Sequence, residues 1–276
     1  MSMKFSRAES MRMLEETVDA GEPIIGSGAG TGISAKFAER GGTDLIIIYN
    51  SGRYRMAGRG SHAGLLAYGD ANEIVVDMAG EVIPVVENTP VLAGVHATDP
   101  FRDMDVFLDE IKRLGFSGVQ NFPTHGLIDG KFGEELDELG LGYDREIEMI
   151  EMASDKGLLT APYVFDEEQA RRMVEAGADI VVAHLGLTRG GDIGAADVSP
   201  LQEASETVQR LRDAAVSVDD EVLVISHGGA LAEPEDVAYS MENTEGVHGF
   251  FGASSVERLP TERAIEQQVA DFKDVL

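Results

Sequence analysis

The sequence predicts a single-domain α/β protein, a (β/α)8 (TIM) barrel formed by residues 1–276, from three observations. Short apolar runs rich in β-branched residues alternate with charged segments of helical periodicity, and alternating strands and helices form parallel sheets. The predicted strands are apolar throughout, as in strands that are buried on both faces. Eight such units in 276 residues suit a closed barrel, which typically needs about 250 residues.

The N-terminal half supplies one extra helix and four strand-then-helix units. Ser6 and Glu9 have the spacing of a capping box, so we expect a helix that runs to about Asp19 and covers the bottom of the barrel, as an N-terminal cap formed by residues 1–22. Strands are expected at 23–26, 44–49, 90–95 and 118–122, and helices at 33–39, 71–79, 103–114 and 143–154. A long polar loop is expected at 129–142, where a lid or binding loop is common.

The C-terminal half supplies the other four units. Residues 199–202 (SPLQ) have the pattern of a second capping box with proline at the first helical position. Strands are expected at 158–164, 179–183, 222–226 and 247–251, and helices at 167–176, from 200 to about 215, from 234 onward, and at 261–272.

Two turns of small residues follow the last two predicted strands and are candidates for a phosphate site. In TIM barrels the loops after strands seven and eight frequently bind phosphate through backbone N–H groups and a helix N-terminus. The predicted phosphate-binding residues are His227, Gly228, Gly229, Gly252, Ala253 and Ser254. Tight turns that bind no ligand explain the same residues equally well.

The glycine-rich turn after the first strand is expected to be the first active-site loop, with Gly28 and Gly30 near the substrate. A dinucleotide site is not favoured, because the G-x-G-x-x-G spacing is absent and no acidic residue closes the second strand. Beyond that strand we expect an extended loop at 53–62. Its arginines suggest a lid that binds anions, with Arg53 or Arg55 on a substrate carboxylate; an oligomer contact is the alternative.

Four of the six histidines stand at or just past predicted strand ends. Histidine serves as acid, base, hydrogen-bond donor or metal ligand near neutral pH, although each of the four is also compatible with a purely structural role. The candidate catalytic residues are His96, Asp99, Asn121 and His184, and His125 is a candidate substrate contact. Asp99 is also the candidate ligand for a divalent metal such as Mg²⁺. No G-x-S-x-G motif supports a serine hydrolase.

The composition excludes several classes of protein. There is no cysteine, so thiol catalysis and thiolate metal sites are excluded. The formal net charge of −28 argues against nucleic-acid binding and is similar to that of proteins from salt-loving archaea, so we expect instability at low salt. Without a signal-peptide core or a membrane-spanning apolar run, a cytoplasmic location is expected.

Five stretches resemble the TIM-barrel phosphoenolpyruvate hydrolase-like family, over residues 26–266. They are GSGAGTGISAKFAERGGTDLIIIYNSGRYRMAGRGS, PVLAGVHATDPF, GFSGVQNFPTHGLIDG, GADIVVAHLG and GFFGASSVERLP. The resemblance implies a hydrolase or lyase for a small phosphorylated or phosphonate-bearing 2-oxo acid, Mg²⁺ as a candidate cofactor, and a homo-oligomer.

The same resemblance leaves a second interpretation open. Related mutases and lyases hold Mg²⁺ through acidic residues at strand ends, whereas here the region after strand three offers only Asp99 and strand four ends in Asn121. A related barrel occurs in plant virus-resistance proteins. The alternative is therefore a ligand-binding or regulatory barrel without turnover. A Schiff-base aldolase is not favoured, because all six lysines fall in termini, helices or loops.

Overall fold

The computed structural model describes residues 3–275 and has nine parallel strand segments surrounded by helices. The strand segments are β1 (Ile24–Gly28), β2 (Leu45–Ile48), β3 (Val91–Val95), β4 (Gly118–Asn121), β5 (Leu159–Thr160), β6 (Tyr163–Val164), β7 (Ile180–His184), β8 (Leu223–His227) and β9 (Gly249–Gly252). The helices are α1 (Arg7–Asp19), α2 (Gly32–Arg40), α3 (Asn50–Met56), α4 (Ala71–Val82), α5 (Met104–Leu114), α6 (Gly130–Glu138), α7 (Asp144–Asp155), α8 (Glu167–Glu175), α9 (Leu201–Val216), α10 (Pro234–Glu242) and α11 (Leu259–Val275).

The sheet has the order β5-β4-β3-β2-β1-β9-β8-β7-β6, and its two end segments are neighbours in the chain. Only Ala161 and Pro162 separate them. The Ala161 N–H donates to Val119 O on one side, and the Pro162 carbonyl accepts from Val182 N on the other. The predicted fifth strand is thus interrupted at a proline, which has no N–H to donate. The α/β class with a curled, TIM-barrel-like parallel sheet is confirmed.

The strands form the centre of the core because their residues are apolar on both faces. All residues of β2, β3, β4, β7, β8 and β9 are buried. Burying one such aliphatic side chain contributes about 1.5–3 kcal/mol. A large-to-small change at the fully buried Leu92 or Ile225 is expected to cost about 2–5 kcal/mol, since it also leaves a cavity.

Helix α1 has the predicted capping box. The Ser6 N–H donates to Glu9 Oε2 at 2.8 Å, and the Glu9 N–H donates to Ser6 Oγ at 3.2 Å. Thr17 Oγ1 donates to Asp44 Oδ1 at 2.9 Å, just before β2. Arg7 forms an ion pair of 2.7 Å with Asp179, just before β7. That α1 closes the barrel as a cap stays a prediction.

Three local predictions are wrong. Residues 50–56 form α3 and 61–65 a short 3-10 turn in place of the extended loop at 53–62, and α6 occupies much of the expected polar loop at 129–142. The second capping box does not form, because Pro200 occupies the N-cap position and has no side chain that accepts hydrogen bonds.

Helix α11 differs from the other long helices because it lies almost entirely in solvent. It continues a wide π-helical turn at Ser254–Arg258, so the helical run begins seven residues before the predicted start at 261. Leu259 is its only buried residue within the described part of the chain. None of the helices within residues 3–275 is long and apolar enough to cross a membrane.

Candidate functional site

Two buried histidines stand side by side where β7 and β8 end. His184 and His227 are the last residues of these strands, pair in register, and have ring centroids 4.7 Å apart. They border a cavity of about 30 Å³, roughly the volume of one water molecule. The other lining residues are Tyr49, Ser51, Ser61, His62, Phe122, Leu127, Tyr163, Gly186, Leu187, Thr188, Ala253 and Ser254.

The hydrogen bonds of His227 define its tautomer. Its Nδ1 lies 2.7 Å from the carbonyl oxygen of Phe251, and since a carbonyl only accepts, Nδ1 carries the proton. Nε2 therefore presents a lone pair, 3.5 Å from the Tyr163 hydroxyl. Burial, together with a smaller effect of the Arg55 charge, lowers the pKa of His227 to about 4, although the bond to the Phe251 carbonyl opposes this. The ring is thus a neutral base at pH 7.

His184 has the opposite tautomer. Its Nδ1 accepts from the Gly186 N–H at 3.0 Å, so the neutral ring carries its proton on Nε2. Burial, and then the neighbouring His227 and His62, hold the pKa of His184 well below its usual value. Two adjacent neutral imidazoles thus offer one donor and one acceptor, which is the pairing that general acid–base catalysis requires.

Tyr163 contacts both histidines and was missed by the sequence analysis. Its ring lies 4.6 Å from the His184 ring and 5.0 Å from the His227 ring. Burial raises its pKa well above the ordinary value, so its hydroxyl stays protonated. The signal in the sequence was a lone hydroxyl-bearing aromatic residue next to Pro162 in an otherwise apolar strand.

A buried ion pair joins α3 to the π-helical turn that follows β9. Arg55 and Glu257 are 2% and 4% exposed, and Arg55 Nη2 lies 2.6 Å from Glu257 Oε2. Glu257 Oε1 also accepts from the Gly30 N–H at 2.6 Å. Arg55 is therefore held by a carboxylate of its own chain, although Nη1 has no hydrogen-bond partner among the described residues.

Gly28 and Gly30 are required by close packing rather than by an open binding loop. A Cβ on Gly28 would lie 3.0 Å from Ala253 Cβ, and one on Gly30 would lie 2.1 Å from the Gly52 carbonyl oxygen. Neither glycine borders the cavity. Their predicted contact with substrate stays a prediction without support from this geometry.

Arg53 does not lie over the cavity. It is on the outer side of α3, with its guanidinium 3.3 Å from Asp77 and 4.0 Å from Glu81, both of α4. Exposed pairs of this kind contribute about 0–1 kcal/mol. The expected anion-binding lid is therefore replaced by a helix whose two arginines are both paired.

The polar residues after β3 bind one another. His96 Nε2 lies 2.7 Å from Thr98 Oγ1. Asp99 Oδ2 accepts from Asn72 at 2.9 Å and from Arg102 at 2.8 Å, and these bonds hold the pKa of Asp99 below its usual value against the opposing effect of burial. His96 and Asp99, predicted to be catalytic, thus lie outside the cavity lining.

The residues after β4 are also engaged elsewhere. Asn121 binds the backbone of Tyr163 and the carboxylate of Glu146. His125 Nε2 lies 3.2 Å from the Gly133 carbonyl and 3.6 Å from Asp137. Neither predicted site residue borders the cavity.

The two predicted phosphate turns differ. The Gly229 N–H donates to the Gly186 carbonyl at 3.0 Å, and Gly228 and Gly229 have φ values of 79° and 56°, so the turn itself requires glycine. Gly252 ends β9, whereas Ala253 and Ser254 border the cavity and Ser254 begins the helical run. Because the first N–H groups of a helix have no partner within it, this second turn suits an anion better.

A parallel sheet curled like a TIM barrel, with acid–base groups gathered at the carboxyl ends of its strands, is the arrangement of barrel enzymes. The chain belongs to the phosphoenolpyruvate hydrolase-like family, whose model matches residues 9–275. The family resemblance expected from the sequence is confirmed.

Two tomato proteins are close relatives over nearly the whole chain. The ToMV susceptible protein tm-1(GCR26) of Solanum lycopersicum is 56% identical over 265 residues, which cover 96% of this chain and 35% of that protein. The ToMV resistance protein Tm-1(GCR237) is 55% identical over 269 residues, 98% of this chain and 36% of that protein. The chain thus spans about a third of the length of these relatives.

Solved structures share the fold at low identity. Phosphoenolpyruvate phosphomutase from Streptomyces platensis subsp. rosaceus has a TM-score of 0.61 and 17% identity, covering 96% of this chain and 88% of that one. Phosphonopyruvate hydrolase in complex with oxalate and Mg²⁺ has a TM-score of 0.58 and 14% identity, covering 96% and 87%. At such identities the likeness establishes the fold.

Proposed function

We propose that this chain is a hydrolase or lyase for a small phosphorylated or phosphonate-bearing 2-oxo acid, similar to phosphoenolpyruvate or phosphonopyruvate. The observation that carries the proposal is the pair His184 and His227, buried side by side in opposite tautomers. The family supports the substrate class, as do structural relatives that include a phosphonopyruvate hydrolase and a phosphoenolpyruvate phosphomutase.

The residues of the cavity divide the work in hydrolysis. His227 Nε2 takes a proton from water while the water oxygen bonds to phosphorus. The bond between phosphorus and the 2-oxo acid then breaks, and its electron pair stays on the acid as an enolate. The enolate takes up a proton in the last step. The His184 Nε2–H donates to the developing oxyanion. Ser254 and the first N–H groups of its helix hold the anionic group.

An anionic substrate also tunes the base. Negative charge next to a neutral imidazole favours the protonated form and raises its pKa, so a bound substrate brings His227 from a pKa of about 4 towards the range of an effective base. The cavity is smaller than a three-carbon acid, and the segments 61–62 and 186–188 that line it must move aside to admit one.

The described residues hold no preassembled magnesium site. Within residues 3–275 no cluster of three or more His, Asp or Glu side chains has the geometry to hold a metal ion. Asp99, the predicted ligand, is neutralised by Arg102, and Glu257 is neutralised by Arg55. No step of the proposed reaction uses Mg²⁺, although the structurally similar phosphonopyruvate hydrolase binds it.

The second candidate function is a ligand-binding or regulatory barrel without turnover. Two observations favour it: the cavity of about 30 Å³ is small, and the carboxylates of Asp99 and Glu257 are both paired with arginines of the chain. In this case the same anion binds between Ser254 and the two histidines, and no product forms.

A thermal-shift titration in molar KCl tests both candidates. Phosphate, phosphoenolpyruvate, phosphonopyruvate and oxalate are each added with and without Mg²⁺, and product is assayed in parallel. A ligand at about a hundred times its Kd raises the free energy of unfolding by about 2.7 kcal/mol. We expect a shift with phosphoenolpyruvate or phosphonopyruvate that His227→Asn abolishes and His248→Asn preserves, since His248 lies outside the cavity. A shift without product selects the regulatory barrel, and no shift with any ligand refutes both.

We also infer that the chain forms a homo-oligomer through α11. Four apolar side chains on this helix, Ile265, Val269, Phe272 and Val275, are 56–78% exposed. Apolar grooves of about 700 and 720 Å³ open beside the outer face of β1, and both include Ile25 and Val256. The helix and the grooves belong to one surface, so two copies related by a twofold axis bury both at once.

Sedimentation in molar KCl tests the oligomer. We expect the wild-type chain to sediment as an oligomer and Val269→Glu with Phe272→Glu as a monomer, because two charges cannot enter an apolar groove. The matched control, Glu266→Gln on the same helix, is expected to stay oligomeric. A monomeric wild-type chain contradicts the inference.

A further inference from the structure

Glu146, which no part of the proposed reaction uses, is a buried carboxyl group whose pKa burial raises to about 8. It is 1% exposed, lies on α7, and does not border the cavity. Its Oε2 accepts from Asn121 Nδ2 at 2.5 Å and from Thr124 Oγ1 at 2.7 Å, and its Oε1 accepts from the His125 N–H at 2.5 Å. It has no salt-bridge partner within the described residues. A buried carboxyl group is costly unless hydrogen bonds satisfy it, and these three bonds do so for Glu146.

The bonds lead from Glu146 towards the cavity. Asn121, which Glu146 orients, binds Tyr163 at two points: Oδ1 accepts from the Tyr163 N–H at 2.7 Å and Nδ2 donates to the Tyr163 carbonyl at 3.2 Å. The hydroxyl of Tyr143, the residue just before α7, donates to the same carbonyl. These contacts hold Tyr163 just after the break at Ala161 and Pro162, where the regular ladder between strands is interrupted.

Tyr163 is the side chain that fixes the space between the two histidines. Its ring packs against His184 and His227 at 4.6 and 5.0 Å, and its hydroxyl lies 3.5 Å from His227 Nε2. A shift of its backbone therefore changes the environment of both imidazoles. The side chain of Asn121 replaces a missing ladder contact, and Glu146 fixes which end of that amide meets the Tyr163 N–H and which meets the Tyr163 carbonyl.

We propose that Glu146 is a positioning residue, which acts through Asn121 to hold Tyr163 against His184 and His227. The role rests on the proposed function only in that these histidines are the reacting groups. Neither Glu146 nor Asn121 touches the cavity, so neither is a catalytic residue.

The chemistry of Glu146→Gln makes the proposal testable. An amide nitrogen accepts no hydrogen bond. The NH₂ group introduced at position 146 must therefore face another donor, either Asn121 Nδ2 or the His125 N–H. The first arrangement is relieved only if Asn121 turns over, which sets its NH₂ against the Tyr163 N–H. Adding Asn121→Asp reverses the polarity: the new carboxylate accepts from the new amide and from the Tyr163 N–H, and the bond that it can no longer donate to the Tyr163 carbonyl leaves that carbonyl with the Tyr143 hydroxyl as its donor.

The experiment follows the histidine ring resonances by NMR in ligand-free protein, using ¹³C-labelled histidine. Four proteins are compared: wild type, Glu146→Gln, the double variant with Asn121→Asp, and Glu151→Gln, an exposed position on the same helix. Ring currents from Tyr163 act on His184 and His227 at these distances, whereas His248 lies elsewhere and serves as the internal reference.

We expect Glu146→Gln to move the His184 and His227 resonances while His248 stays in place, the double variant to return them towards wild type, and Glu151→Gln to change none. A Glu146→Gln protein with a lower Tm but unmoved His184 and His227 resonances refutes the positioning role. If the single variant does not fold, a folded double variant with wild-type resonances supports the proposal, and displaced resonances refute it. Because no ligand is present, the outcome is independent of whether the proposed reaction occurs.

Discussion

The carboxyl ends of β7 and β8 and those of β3 and β4 carry similar residues, yet only the first pair of strand ends forms a cavity. After β3, His96 and Asp99 are bound to Thr98, Asn72 and Arg102. At the ends of β7 and β8, each histidine binds the backbone through Nδ1 alone, and His227 Nε2 has only the long contact of 3.5 Å with the Tyr163 hydroxyl. One nitrogen of each ring is thus left for a ligand.

A polar residue at a strand end is therefore a candidate for the functional site only if other residues of the chain do not already occupy its hydrogen-bonding groups. Arg102 binds Asp70, Glu73 and Asp99 at 2.6–2.8 Å, which makes the β3 edge a closed network. At the β7 and β8 edge the unused nitrogens face Tyr163 and a small cavity.

Removing one unused nitrogen is expected to have the largest effect. His227→Asn should lower kcat/KM for phosphonopyruvate or phosphoenolpyruvate cleavage by about 10²–10⁴-fold, the typical contribution of a general base. His96→Asn should change it by less than about tenfold, since His96 lies outside the cavity. Steady-state kinetics measures kcat/KM for both variants, and equal losses would contradict the difference between the two strand-end regions.

Breaking the ion pair below the cavity is expected to have the next largest effect. Arg55→Met leaves Glu257 buried without its partner, which should cost about 3–5 kcal/mol in the free energy of unfolding. The matched change Arg53→Met, on the exposed face of the same helix, should cost at most about 1 kcal/mol. Urea unfolding in molar KCl measures both, and similar costs would mean that Arg55 is not held as described.

The two buried histidines are expected to make stability depend on pH. Their folded-state pKa values are lowered, that of His227 to about 4, whereas the unfolded value is about 6.5. The unfolded chain therefore binds more protons between pH 6.5 and 4, and stability falls as the pH is lowered through this window. Each histidine contributes about 1.4 kcal/mol per pH unit, and His227→Asn should remove one such contribution. A slope that is the same with and without His227 contradicts the assignment.

Salt is expected to change Tm mainly through the exposed surface charges and least through the two strand-end regions. The net charge of −28 repels itself, and salt screens exposed charges far more than buried ones. Tm should rise from dilute buffer to molar KCl in wild type and in Arg55→Met alike. An unchanged wild-type Tm counts against the expected salt requirement, which, like the cytoplasmic location, stays a prediction.

The sequence predicted the strands well because they are short apolar runs whose burial follows from composition alone. Seven of the eight predicted strands have structural counterparts shifted by a few residues, and the fifth is divided at Pro162. Helix ends were less certain: α11 begins after a π-helical turn that no propensity indicates, and Pro200 takes the place of the expected cap.

The candidate site was predicted only in part. His184, His227, Ala253 and Ser254 border the cavity as strand-end residues, whereas Asp99, Asn121, His125 and Arg53 do not. The fold class, the family and the strand ends that carry the candidate site follow from the sequence alone, because alternation of strands and helices and apolar burial are local properties. Which polar groups are already bonded depends on the tertiary structure, because Asn72, Glu146 and Glu257 come from distant segments and bind residues that looked available, namely Asp99, Asn121 and Arg55.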